Sequence, residues 1–207
     1  MKSKLLVIFF ALFSFSVFAA EFEEDTHYTV LENPLSNKKG VTEFFSFYCP
    51  HCFTQEPFMA EVAAALPDGM KFAKNHVDGM PGRDMAIEQA LTKALIVAEM
   101  LKVKGEVVAS VFRKIHVEES DFTSIADIKA IFVQHGADAA KFDKAMKSFS
   151  VAPKAKQMRS KTAELRKQGI GTVPTLVIHG KYVPEIRSIK SFEEYKSLVM
   201  FLVNKPL

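Results

Sequence analysis

The sequence predicts an α/β fold in which a block of helices interrupts a sheet, and three observations predict it. A β-branched and aromatic run, Val41–Tyr48, leads directly into a helical pattern that opens at Pro50. A second apolar run, Thr175–Ile178, is followed by a turn at Gly180, as in a hairpin. Between the two, from Asp78 to Ser160, apolar residues recur at helical spacing.

The chain has 207 residues, 48% hydrophobic and 25% charged, with only 2 cysteines. That composition supports a packed core and excludes a disordered tail, a collagen-like fibre and a disulfide-dense mini-protein. Lys2 and Lys4 precede the apolar stretch Leu5–Phe13, and Val17-Phe18-Ala19-Ala20 precedes the acidic Glu21–Asp25. Basic, apolar and small residues in that order predict a signal peptide, residues 1–19, cut after Ala19. As a membrane anchor the segment is interrupted by Ser14 and Ser16 and falls short of the roughly 20 residues a bilayer needs. Of 27 basic and 24 acidic residues, loss of Lys2 and Lys4 leaves 25 against 24, a net +1. Charge therefore gives no argument for nucleic acid, and the expected product is soluble in an exported compartment.

Val41–Tyr48 lacks strict alternation, as expected of a central strand covered on both faces. Glu43 stands inside it, where a carboxylate is costly unless paired, neutralised or functional. Both cysteines follow at once, in Cys49-Pro50-His51-Cys52. A bridge across so small a loop removes little unfolded-state entropy, so a structural staple explains it poorly. Redox chemistry explains it well, because one sulfur can form a mixed disulfide that the other resolves. A zinc site needs about four ligands, of which this pair supplies half. His51, His76, His116, His135 and His179 show no paired spacing that would supply the rest.

Pro50 suits the first helical position, where its missing N–H would be unpaired anyway. Cys49 is thereby placed at the positive end of a helix that continues through Phe53, Met59, Val62 and Ala63, with Pro57 kinking it. A helix terminus, and His51 when protonated, favour the thiolate of Cys49. Stabilising the reduced form makes the disulfide a stronger oxidant, about 30 mV for every 1.4 kcal/mol in a two-electron couple. Lys71–Val77 reads as a neighbouring strand with Phe72, Lys74 and His76 on one face.

The helical block comes next. Ile87, Leu91, Ala94, Leu95, Ala98 and Leu101 mark its first helix, and the Ser124–Asp127 capping box opens another that stops at Gly136. Asp138 caps a third, and Pro153 begins a longer one ending at Gly169. The lysines and arginines between Lys154 and Lys167 read as a solvated face, and Met80, Met85 and Met100 as core packing. After the 175–184 hairpin, Ser191-Phe192-Glu193-Glu194 is a capping box for a C-terminal helix with Tyr195, Leu198, Val199 and Leu202 inward. Pro174, at the start of a strand, is compatible with a cis peptide.

The decapeptide Glu43–Cys52 resembles the active-site strand and turn of the DsbA family, periplasmic thiol:disulfide oxidants of Gram-negative bacteria. The Pro-His dipeptide between the cysteines distinguishes that family among thioredoxin-like proteins. The resemblance continues in Leu66-Pro67-Asp68-Gly69, Lys74-Asn75-His76-Val77 and Gly171-Thr172-Val173-Pro174-Thr175, and covers essentially the whole mature chain. It implies a thioredoxin-like fold with an inserted helical domain, residues 20–77 and 161–207 forming the first and 78–160 the second.

The resemblance also implies a site. Cys49 would be the exposed, attacked sulfur and Cys52 the internal one, with Pro50 and His51 between them. Val173 and a cis Pro174 would face the dithiol, and Glu43 and Lys74 would lie beneath it to support protonation of Cys52. No cofactor beyond the Cys49–Cys52 disulfide is expected. The implied partners are reduced, unfolded exported proteins and a DsbB-type membrane quinone reductase as re-oxidant, the protein itself being a monomer without nucleic-acid ligands. A reductase or isomerase on the same scaffold and a chaperone-like client-binding module are the alternatives. Two departures stand out: the chain has no Trp, and Met80-Pro81-Gly82 replaces the Gly-rich turn common in the family.

Overall fold

The computed structural model describes residues 22–207, so the leader and its cleavage after Ala19 lie outside the described residues. Five strands form one sheet in the order β1 (Tyr28–Val30), β5 (Tyr182–Pro184), β4 (Thr175–Ile178), β2 (Val41–Phe45), β3 (Phe72–His76). Only β2 and β3 run parallel, joined by the crossover helix α1 (Pro50–Ala65); the other pairs are antiparallel. Between β3 and β4 stand α2 (Met85–Met100), α3 (Lys104–His116), α4 (Ile125–Gln134), α5 (Ala139–Met146) and α6 (Val151–Lys167), and α7 (Phe192–Val203) closes the chain.

Both faces of the sheet are covered, as the unbroken apolar runs require. On one, Val41, Leu176 and Ile178 pack against Phe58, Met59 and Val62 of α1 and against Tyr195, Leu198, Val199 and Leu202 of α7. On the other, Phe44, Val177 and Val183 meet Leu165 of α6. The largest apolar cluster belongs to the helical block but reaches into the loop between β2 and α1, taking in Phe45, Phe47, Tyr48, Cys49 and Cys52.

Local signals set most boundaries. Ser124 and Asp127 cap each other's backbone in both directions at the start of α4, and Asp138 accepts from Lys141 N–H at the start of α5. At α7 the box is half closed: Ser191 caps Glu194, whose carboxylate reaches the N–H of Lys190 instead of Ser191.

Other expectations need correction. β2 stops at Phe45, because Ser46–Tyr48 leave the ladder while staying buried. α6 starts at Val151, with Pro153 inside its first turn, where no intrahelical N–H is required. Met85 and Met100 are exposed, since both sit at the ends of α2, and only Met80 packs against the core.

The β4–β5 hairpin turns through Gly180, with φ +70. A Cβ there would stand 2.5 Å from the Ser36 carbonyl oxygen and 2.6 Å from its nitrogen. Gly180→Ala is therefore expected to destabilise the protein by about 2 kcal/mol or more, combining left-handed strain with backbone overlap. A urea titration that places the variant within 0.5 kcal/mol of wild type, about the range of an innocuous surface change, would refute this reading of the turn.

Candidate active site

The dithiol sits where β2 hands over to α1. The chain turns tightly after Phe45: Cys49 N–H donates to the Ser46 carbonyl at 3.1 Å and Tyr48 N–H to Ser46 Oγ at 3.2 Å. Cys49 is the N-cap of α1 and Pro50 its first residue, as the sequence predicts. A cap side chain accepts from the first free N–H groups of a helix, and here that acceptor is sulfur: Cys52 N–H donates to Cys49 Sγ at 3.2 Å.

This geometry divides the two thiols. A hydrogen bond from the Cys52 thiol, then the N–H groups of Cys52 and His51 and the His51 charge, bring Cys49 down to about 6 against the opposing effect of burial. Donation to Cys49 and burial push Cys52 up. The expected direction holds at Cys49, but its largest cause is the partner thiol, and His51 ranks behind the backbone donors. His51 is exposed on the first turn. Cys49 is also less open than expected: it keeps 5% exposure and Cys52 none.

The cover comes from the loop before β4. The Val173–Pro174 peptide is cis, and the Cys49 thiol donates to the Val173 carbonyl at 3.5 Å. Val173 thus lies against Cys49, although 124 residues separate the two, and Pro174 follows it in the chain.

Glu43 and Lys74 are brought together by the parallel register of β2 and β3, which pairs them directly. Lys74 Nζ lies 2.5 Å from Glu43 Oε2 and 2.5 Å from Glu56 Oε1. Glu43 is fully buried and its Oε1 has no partner, so burial pushes it up to about 7 despite the pull of Lys74. Burial lowers Lys74, but Glu43 and Glu56 outweigh it and hold the ammonium above its usual range. Glu43 also acts on the sulfur, its charge being one of the influences that raise Cys52. A cavity of about 670 Å³ between α1 and α3, lined by Phe53, Pro57 and Phe112, reaches Glu56 and Lys74.

Glu56 was missed in the sequence. Its signal was its position four residues after Cys52, which puts both on one face of α1. Glu88 was missed as well: fully buried, it accepts from Gly79 N–H at 2.6 Å and from Met80 N–H, fixing the unusual Met80-Pro81-Gly82 turn. The histidines have separate occupations. His76 is a buried neutral ring hydrogen-bonded to Thr92 at 2.8 Å, burial bringing it down to about 3. His135 bonds Ser110, and His179 bridges Gly40 N–H and the Val203 carbonyl.

A sheet of this order with a Cys-X-X-Cys pair capping its crossover helix, faced by a cis proline, defines a dithiol protein of the thioredoxin fold class. Residues 40–196 match the DSBA-like thioredoxin domain family, and the chain belongs to that family. The thiol:disulfide interchange protein DsbA of Escherichia coli K12 is 33% identical over 88% of this chain and 86% of its own. That of Pectobacterium carotovorum is 32% identical over 99% and 100%. Among solved structures, a cysteine-to-serine variant of Proteus mirabilis DsbA with a non-covalently bound peptide superposes with a TM-score of 0.79 at 30% identity, covering 90% of this chain and all of the other. Klebsiella pneumoniae DsbA gives 0.78 at 28%, with the same coverage.

Proposed function

We infer that the protein is a thiol:disulfide oxidoreductase that donates its Cys49–Cys52 disulfide to reduced proteins exported to the periplasm. The observation that carries this reading is the split between the two sulfurs: Cys49 is favoured as a thiolate and Cys52 as a thiol. Family membership and the DsbA relatives support the same chemistry.

In the forward reaction a client thiolate attacks Cys49 Sγ of the oxidised enzyme. A bond forms between client and Cys49, the Cys49–Cys52 bond breaks, and its electron pair leaves on Cys52. Cys52 then takes a proton, for which Glu43 is the nearby acid, poised at about 7 and linked through Lys74 and Glu56 to the cavity beside α1. A second client thiolate attacks the client sulfur and expels Cys49. Expulsion is fast when the departing thiol has a low pKa, and the Cys52 thiol, followed by the N–H groups of the first turn, brings Cys49 down to about 6. The client loses two electrons and the enzyme gains them.

The exposed backbone of Gly171 and Thr172, leading into Val173 beside Cys49, is suited to hold an extended client chain next to the reacting sulfur. A quinone-linked membrane protein of the DsbB type re-oxidises the dithiol. The enzyme acts as a monomer after removal of residues 1–19, with no cofactor beyond its own disulfide.

The test is equilibration of the purified exported protein with glutathione, the redox forms counted by the mass of alkylated Cys49 and Cys52. An oxidant stays reduced in a clear excess of oxidised glutathione. A protein that is readily oxidised in reducing buffer is a reductase, and this reading then fails. In the same assay His51→Ala is expected to raise the Cys49 pKa by about half a unit or less, some 15 mV toward a weaker oxidant. A larger shift would show that the imidazolium, and not the partner thiol and backbone, governs the sulfur.

A further inference from the structure

His116, the last residue of α3, touches the dithiol loop at both of its ends. Its Nε2–H donates to the Phe47 carbonyl at 2.8 Å, two residues before Cys49. Its ring stacks on Phe53, the residue after Cys52, with centroids 5.2 Å apart and planes 9° from parallel. Donation to a carbonyl requires the proton on Nε2, so the contact fixes the tautomer as well as the ring.

A second tie binds the same loop to the same connection of the helical block. The Tyr48 hydroxyl donates to Asp121 Oδ1 at 2.6 Å. Arg83 bonds Asp121 Oδ2 at 3.0 Å and lays its guanidinium over the Tyr48 ring, 4.5 Å from the centroid. His116 and Asp121 flank the turn between α3 and α4, while Arg83 lies just before α2. Phe47 and Tyr48, the two residues that lead into the nucleophile, are thus both tethered to the helical block.

We propose that His116 is a positioning residue of the dithiol, bracing the loop from both sides so that the N–H groups of α1 stay aimed at the Cys49 sulfur. The loop offers little slack of its own: Cys49 N–H is bonded to Ser46 and Tyr48 N–H to the Ser46 hydroxyl. Rotation of the Phe47 peptide therefore carries Cys49 with it. Phe53 fixes the other end, because it shares the first turns of α1 with Cys52, whose N–H is the donor to Cys49 Sγ. Without the imidazole a partly buried carbonyl loses its partner, and the loop relaxes toward whatever satisfies it. Donors that wander from the sulfur stabilise the thiolate less, and the reduced form loses its advantage.

The inference rests on the oxidant reading for its consequence, and the test separates the two. Wild type, His116→Leu and His116→Gln are equilibrated with glutathione, and Cys49 is titrated through its thiolate absorbance. Glutamine supplies a neutral N–H donor at about the same reach; leucine supplies none. His116→Leu is expected to move the equilibrium about three- to tenfold toward the disulfide form and to raise the Cys49 pKa, while His116→Gln stays within about twofold of wild type. Leucine behaving as wild type, or leucine and glutamine shifting alike, overturns the proposal.

Should His116→Leu fail to fold by circular dichroism, Tyr48→Phe removes a single oxygen from the second tie and is expected to shift the equilibrium in the same direction by about twofold. No shift in that variant overturns the brace as well. Each result is a ratio to wild type, so a wild type that proves reducing overturns the oxidant reading and leaves the brace measurable.

Discussion

Cys52→Ala incubated with a disulfide-bonded client is expected to accumulate a covalent enzyme–client complex that dithiothreitol dissolves. Cys49 remains to attack the client disulfide, one client sulfur departs as thiolate, and no internal thiol is left to release the adduct. Cys49→Ala is expected to form no complex and to lower the turnover of disulfide exchange by at least about a thousandfold, since Cys52 is wholly buried and held as a thiol. Intact-mass spectrometry of both variants decides the matter. An adduct on Cys49→Ala and none on Cys52→Ala would reverse the roles of the sulfurs and remove the basis for the proposed function.

Glu43→Gln is expected to stabilise the fold above neutral pH and to leave it almost unchanged at pH 4. Burial pushes the folded carboxyl up to about 7, whereas in the unfolded chain it titrates near the ordinary glutamate value of about 4.3. Below the unfolded value both states carry the proton and Glu43 contributes nothing. Between the two values the unfolded chain ionises while the folded one does not, so stability falls as pH rises; above about 7 the cost is constant.

A gap of two to three units corresponds to about 3 to 4 kcal/mol, an upper bound on what glutamine recovers at pH 8. Lys74 keeps its charge throughout, since its ammonium is held above the usual lysine range. Urea melts at pH 4, 6 and 8 test this: a gain of equal size at all three would show that desolvation of the carboxylate is not its origin.

What could be read in the sequence was what is decided locally. Pro50 marks the start of α1, and Ser124, Asp138 and Ser191 mark three more helices, because a cap is a bond between residues two or three apart. The start of α3 could not be read: its N-cap is Val103, with no side-chain bond and no signal. β2 was drawn too long because an apolar run reports burial, and Phe47 and Tyr48 are buried without pairing.

At the site, Cys49, Pro50, His51 and Cys52 form one short motif, whereas the resemblance was needed to reach Val173 and Pro174 from the other end of the chain. Glu43 was visible as a charge in the wrong place, and its partner followed from the resemblance. His116, Asp121 and Arg83 carried no mark. Each is an ordinary polar residue near a helix end, and only the tertiary fold, which sets the connection after α3 and the one before α2 against a single loop, gives them a common neighbour.

The sharing of one apolar cluster by the helical block and the two sulfurs bears on how the chain could be shortened. A segment placed between two strands of a sheet is usually the first candidate for excision, since β3 and β4 both pair with β2 and not with each other. Here excision would unroof Cys49 and Cys52 along with Phe45 and Phe47, flooding the sulfurs with water and erasing the difference between them. The block and the loop that carries the sulfurs share one core, so neither keeps its packing without the other.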